Sequence, residues 1–309
     1  MTVLVTGANG FIGRYLVKPL AKKGHSVLAS GKNHGDKIYF DTLNVPFLKL
    51  DVTQKEEFTQ LPENINSVVH LAARVPKAAL IAPAKESIII NGLGTLNVLE
   101  WCLLRGIKKV VYASTQMVIG VPNYLPVDEN HPVSPQGHYG NYAISKFLGE
   151  LFCERFRRDF KIKCVSLRFS GVYGCGENPG FVLTKFIELA EAGKEITIYG
   201  AGSTQRDLLY VKDAVAAIIA ALDSDCEGIY NIGSGQGTSI KEMAEVISQV
   251  FSGGKTPLKH DYSHPEDEVS FYFDTSKAKR DLGFEPKYPL EAGMADYKAE
   301  KETAAGQAA

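Results

Sequence analysis

Six short apolar runs, at residues 3–6, 26–29, 47–50, 67–71, 109–114 and 164–169, divide the first 170 residues of this chain. Each is rich in Val, Ile or Leu, and none is polar on alternate residues. That is the pattern of strands buried on both faces of a parallel sheet. Longer periodic stretches lie between them. Residues 11–23 and 87–105 each end at a glycine suited to a C-terminal cap, Gly24 and Gly106. Residues 142–160 carry Phe147, Leu148, Leu151, Phe152 and Phe156 near a 3.6-residue stripe. The alternation predicts an α/β fold with a doubly wound parallel sheet and right-handed crossovers.

The turn after the first run narrows this further. Thr6-Gly7-Ala8-Asn9-Gly10-Phe11-Ile12-Gly13 joins a strand to a helix. Gly7 permits a tight turn, Gly10 lets the backbone approach a pyrophosphate, and Gly13 allows close helix–strand packing. The helix start offers unpaired N–H groups and a partial positive charge to phosphate. With the required strand before it and helix after it, the loop reads as the phosphate cradle of a Rossmann-type dinucleotide site. Gly7, Asn9, Gly10, Phe11, Ile12 and Gly13 are its candidate residues. The second strand should end in an acid for a ribose 2′-hydroxyl. Here Ser30-Gly31-Lys32-Asn33 has none. Lys32 can instead pair with a 2′-phosphate, which leans toward NADP. The competing reading is NAD, with Lys32 a solvated loop charge.

Composition limits the partners. Lys and Arg total 34 against 35 for Asp and Glu. This balance gives no field for nucleic acid or an anionic membrane, so phosphate binding must be local. The first apolar run is too short for a signal peptide, and no segment is read as a membrane span. Five cysteines without C-x-x-C spacing read as reduced thiols of a cytoplasmic protein. No metal cluster is expected, and His70 reads as a packed structural residue.

Tyr142-Ala143-Ile144-Ser145-Lys146 puts a phenol and an ammonium on one helix face. A free phenol titrates near ~10, and a nearby positive charge lowers that value. Lys146, with an oxidised nicotinamide, would make Tyr142 a general acid/base. Other segments recur in a recognisable pattern. They are His70-Leu71-Ala72-Ala73, Asn91-Gly92-Leu93-Gly94-Thr95-Leu96-Asn97, residues 110–120, Leu167-Arg168-Phe169-Ser170-Gly171-Val172-Tyr173-Gly174, Gly202-Ser203-Thr204-Gln205-Arg206-Asp207 and Asn231-Ile232-Gly233. Together with the G-x-x-G-x-x-G loop, they resemble the extended short-chain dehydrogenase/reductase family. Within it they resemble the sugar-nucleotide epimerase/dehydratase group, of which the UDP-glucose/UDP-galactose 4-epimerases are examples.

The resemblance implies the remaining roles. Asp51 and Val52 fall where the adenine is touched, although Asp51 also suits a helix cap. Leu71, Ala72 and Ala73 let the cofactor lie against the sheet, and Asn91 supports the active-site loop. Thr115 takes the catalytic hydroxyl position, with Ser114 as neighbour and runner-up; Ser114, Tyr142 and Lys146 are also expected to contact the cofactor. Gly171 stands where an asparagine often contacts the sugar. Arg206 reaches the diphosphate, or else forms a surface bridge to Asp207. His264 replaces a second phosphate arginine. The dehydratases carry Asp-Glu where this chain has Gln116-Met117, which disfavours dehydration. Ile119 replaces a tyrosine, and residues 136–141 look inserted.

The expected organisation is an NAD(P)-binding domain over residues 1–170, to which 206–225 returns. A substrate region covers 171–309, with a frayed tail at 299–309. The expected function is NAD(P)-dependent epimerisation of a nucleotide sugar in a homodimer. An NADP-linked reductase and a non-catalytic NAD(P)-binding protein stand as alternatives.

Overall fold

The computed structural model describes residues 1–33, 37–75, 84–137, 139–177 and 181–308. His138 of the inserted stretch, and Pro179 and Gly180 of the glycine-rich one, lie outside the described residues. The first half alternates β1 (Thr2–Thr6), α1 (Phe11–Lys22), β2 (Ser26–Gly31), α2 (Lys37–Thr42), β3 (Phe47–Lys49), β4 (Ser67–His70), α3 (Ala84–Ser87), α4 (Gly94–Leu104), β5 (Lys109–Thr115), α5 (Gly140–Phe160) and β6 (Lys163–Phe169). Then follow β7 (Gly171–Tyr173), α6 (Val182–Glu191), β8 (Ile196–Tyr199), β9 (Gln205–Arg206), β10 (Leu208–Tyr210), α7 (Val211–Asp223) and β11 (Gly228–Ile232). The chain closes with β12 (Thr238–Ser239), α8 (Ile240–Ser252), β13 (Leu258–Asp261), α9 (Ser276–Leu282) and α10 (Leu290–Ala308).

Seven parallel strands make one sheet, in the order β11-β6-β5-β4-β1-β2-β3. All six runs expected from the sequence are in it. Successive residues of a strand point to opposite faces. Val3, Val5, Val69 and Val165 pack under α1 and α7, against Leu16, Leu20 and Ile218. Leu4, Val68, Val110 and Cys164 pack under α4 and α5, against Leu99, Trp101 and Phe156. Both faces are covered, which is why the runs show no polar alternation. The seventh strand, β11, comes from beyond the 206–225 segment. A third cluster, including Tyr173, Phe186, Ile198, Met243 and Met294, gives the smaller half its own core.

The strand order reverses at β1. β2 and β3 run to one side, and β4, β5 and β6 to the other. In an open sheet of this kind, the crevice past the carboxyl ends at the reversal is where ligands bind. The glycine loop and Thr115 both lie at that edge.

Three expectations need correction. The helix expected over 87–105 is α3, a π-helical turn at Ile88–Leu93, and α4. Its glycines are packing sites: a Cβ on Gly92 would meet Leu148 at 2.7 Å, and one on Gly94 would meet Val52 at 2.7 Å. Ala84–Leu104 is also long and apolar enough to cross a membrane, with a mean hydropathy of 1.4, which the sequence reading missed. It is 56% buried inside the protein, and Asn91, Thr95 and Asn97 spend their polar groups there, as suits a core helix. The tail does not fray at 299: α10 continues to Ala308. Glu300 accepts from the Tyr15 hydroxyl and pairs with Lys212, and Lys301 pairs with Glu191.

Candidate active site

The three loop glycines do different work. Gly7 has φ 68°, and a Cβ there would meet the Ala72 nitrogen at 2.6 Å. A Cβ on Gly13 would lie 2.6 Å from Ala8 Cα and from the Ala8 and Gly7 carbonyl oxygens. A Cβ on Gly10 would meet only the Gly7 oxygen, at 3.2 Å, so its far side is open for a ligand. No side chain caps α1 at Gly10. The side chains of Phe11 and Ile12 pack into the smaller half's core. What these residues offer a phosphate is backbone N–H.

Past the end of β2, Lys32, Asn33, Lys49, Asp51 and Glu57 line a cleft of about 460 Å³. Lys32 is not merely solvated: its Nζ lies 2.9 Å from Asp51 Oδ2. Asp51 also accepts from the Thr53 amide and hydroxyl at 3.0 and 2.8 Å. Burial alone would raise the Asp51 pKa, but these bonds outweigh it and hold the carboxyl below its usual range. Glu57 is bonded to the Asp51 amide at 2.6 Å. The Asn9 side chain covers Gly31, where a Cβ would meet Asn9 Oδ1 at 2.3 Å.

Beyond β4 the chain is pinned from two sides. The His70 ring bridges Thr6 Oγ1 at 2.7 Å and Thr95 Oγ1 at 3.0 Å. Burial, with a smaller contribution from Lys146, lowers its pKa to about 3, so it stays neutral. Asn91 accepts from the Arg74 amide at 2.7 Å. It donates to the Arg74 carbonyl at 3.2 Å and to Ser145 Oγ at 2.9 Å. It thus ties the strip containing Leu71, Ala72 and Ala73 to α5.

Tyr142, Lys146 and Glu150 form a buried stripe on α5, which packs on β5 and β6. The Lys146 ammonium sits 4.2 Å from the centre of the Tyr112 ring. Burial depresses its pKa to about 7, against partial support from Cys153 and Glu150. Without a bound ligand, burial raises the Tyr142 pKa. In the chain alone Tyr142 is a neutral phenol, and further positive charge is needed to make it a base.

Thr115 ends β5 and is 7% exposed. Among the described residues its hydroxyl accepts one bond, a long 3.3 Å one from the Met117 amide, which leaves it able to turn to a ligand. Ser114 faces inward: its hydroxyl donates to Glu150 Oε1 at 2.5 Å. Arg168 grips the same carboxylate with two bonds, of 2.9 and 2.7 Å. Sequence alone assigns no role to Arg168, which it shows within a motif, or to Glu150, although Glu150 follows Lys146 at helical spacing.

In the smaller half, Arg206 does not bridge to Asp207. Its Nη2 lies 2.5 Å from Asp267 Oδ2, and its Nη1 donates to the Gln205 and Val269 carbonyls. Asp207 is buried and accepts from Ser234 and Phe273. His264 pairs instead with Asp261 at 2.8 Å and lies 5.1 Å from the half-exposed Tyr199 ring. A Cβ on Gly171 would press on the Asp207 carbonyl at 3.0 Å. Among the described residues there is no His/Cys/Asp/Glu group suited to a metal.

Known proteins resemble this chain in sequence and fold. The sequence model of the NAD dependent epimerase/dehydratase family matches residues 3–233. The UDP-N-acetyl-alpha-D-glucosaminuronate decarboxylase of Bacillus cytotoxicus is 32% identical, over 94% of each chain. The UDP-glucose 4-epimerase of Thermotoga maritima, solved with UDP-glucose, superposes with a TM-score of 0.86 at 29% identity, covering 98% of this chain and 100% of that one. The Thermus thermophilus UDP-glucose 4-epimerase, solved with NAD, gives a TM-score of 0.81 at 30% identity, covering 96% and 97%.

Proposed function

The chain belongs to the NAD dependent epimerase/dehydratase family, and from that membership we propose that it epimerises a nucleotide sugar, at C4, with Tyr142 as general acid/base. The observation that supports the reading is the buried Tyr142–Lys146 stripe on α5, the helix packed on β5, which Thr115 ends at the same sheet edge as the uncapped glycine loop. The residues present fit a dinucleotide. The open side of Gly10 and the start of α1 would take the pyrophosphate, and the Lys32 cleft the adenosine. Lys146 would hold the nicotinamide ribose.

When bound, the nicotinamide supplies a two-electron oxidation and its reversal. The side chains do the rest. Thr115 hydrogen-bonds the reacting sugar oxygen. Tyr142 takes that oxygen's proton and later returns it, once the sugar has turned its other face. Arg206 exchanges Asp267 for the diphosphate, and His264 adds a second contact. Gln116 and Met117 supply no carboxylic acid for a leaving hydroxyl, which favours epimerisation over dehydration.

For the cofactor, Lys32 and Lys49 line the cleft and support NADP, with Lys32 exchanging Asp51 for the 2′-phosphate. The relative solved with NAD supports the other choice. A homodimer is supported by exposed apolar residues Ile88, Ile89, Leu93, Ile144 and Leu151 along the helices at 84–104 and 140–160. Sedimentation of the purified protein checks it.

The test is to quantify nicotinamide in the purified protein by mass spectrometry, then follow UDP-glucose by NMR. Appearance of UDP-galactose without net change in the nicotinamide supports the proposal. Stoichiometric oxidation of NADPH by a keto sugar would replace it with a reductase.

A further inference from the structure

The Ser114–Glu150–Arg168 group is buried, and the mechanism above makes no use of it. The Glu150 and Arg168 side chains are 1% and 2% exposed. A buried ion pair is a poor source of stability, because desolvating both charges offsets their attraction. Here the satisfaction is incomplete as well: Arg168 Nη1 is buried without a hydrogen-bond partner. The group's placement suggests another use. Glu150 lies two turns beyond Tyr142 on α5. Arg168 lies on β6, directly opposite Ser114 of β5 in the parallel register. The carboxylate is therefore the point where α5, β5 and β6 are bolted together by directional bonds. Ser114 is the residue next to Thr115, whose own hydroxyl is held, among the described residues, only by the 3.3 Å bond from Met117.

We propose that Glu150 is a positioning residue, which holds Ser114 through its carboxylate and thereby fixes where the Thr115 hydroxyl stands relative to Tyr142. Arg168 sets the carboxylate's orientation, and two bonds to one guanidinium leave it little freedom to swing. An apolar pair at the same positions would fill the space without fixing a direction. The inference rests on the reading of Thr115 and Tyr142 given above.

A double-mutant cycle in the full-length protein tests it, with UDP-glucose interconversion as the assay. Ser114→Ala removes the tether and leaves the ion pair in place. It should lower kcat about tenfold, since small misplacements of a reacting group are costly, while KM and the NAD dissociation constant stay within about twofold. On a Thr115→Ala background there is no hydroxyl left to place, and Ser114→Ala should then change kcat less than about twofold. An equal tenfold loss on both backgrounds, or a change in KM alone, overturns the proposal and leaves the site reading standing. Full turnover by Thr115→Ala alone overturns both. Ser114→Cys, of similar volume but a weak donor, runs the same cycle if the alanine variant does not fold.

Discussion

Two glycines three residues apart should fail in different ways, because one faces protein and the other faces ligand space. In Gly13→Ala the new Cβ would lie 2.6 Å from three backbone atoms of Gly7 and Ala8. Carbon contacts want about 3.5 Å or more, so α1 must shift off the loop by roughly 0.9 Å. Overpacking of this kind costs about 1–3 kcal/mol, and backbone neighbours, which cannot rotate away, put it at the upper end. The better helix propensity of alanine returns about 1 kcal/mol. A net loss of about 2 kcal/mol, with an unfolding entropy of about 2.1 cal/mol/K per residue, lowers the Tm of a chain this long by about 3 °C.

Gly10 has φ −75°, which alanine adopts freely, and its Cβ would touch only one oxygen. Gly10→Ala should therefore leave the Tm of the apoprotein unchanged while weakening nicotinamide dinucleotide binding at least about tenfold, a loss of about 1.4 kcal/mol. Differential scanning calorimetry of the stripped proteins and titration with NAD and NADP measure the two effects separately. Undiminished dinucleotide affinity in Gly10→Ala, or an unchanged Tm in Gly13→Ala, would refute this account of the loop.

Further outcomes follow from other buried groups. Burial lowers the Lys146 pKa to about 7, against its ordinary 10.5. Between those values the unfolded chain binds more protons, so the penalty is full below pH 7 and fades as pH rises toward 10.5. Lys146→Met should then raise the Tm at pH 6, with the gain vanishing near pH 10, and should abolish turnover; a gain that grows with pH contradicts the sign. Asp267→Asn frees Arg206, and an exposed pair of this kind is worth about 0.2–1 kcal/mol. KM for UDP-glucose should fall, by about fivefold at most, and a rise would show that Asp267 aids binding. Cys102, Cys153 and Cys164 are buried, whereas Cys175 and Cys226 are partly accessible. Native protein should give no more than two fast-reacting thiols with a disulfide reagent, and denatured protein all five.

The sheet was legible because its strands are buried on both faces, so the apolar runs stand out with no knowledge of their neighbours. The loop glycines and the Tyr142–Lys146 spacing were legible for a similar reason, since each depends on local geometry. What escaped notice depends on partners far along the chain. Asp267, sixty-one residues beyond Arg206, pairs with it in place of the adjacent Asp207. α10 extends into the expected frayed tail because Glu300 and Lys301 reach Tyr15, Lys212 and Glu191. The Tyr142–Lys146 spacing shows which charge stands near the phenol but not its burial, which raises the Tyr142 pKa in the chain without ligand.

The position of β11 bears on how such a protein can be built or divided. The chain leaves the large sheet after β6, comes back for α7 and β11, and departs again into α8. A nascent chain released only as far as residue 170 would have its glycine loop and α5 complete. It would still present β6 as an open edge, and α1 would lack α7 beside it. The half that would bind the dinucleotide is thus finished by residues made after the first part of the half that would choose the sugar. Any graft of a new sugar-binding half would need two separate segments exchanged around β11, because no single cut releases either half whole.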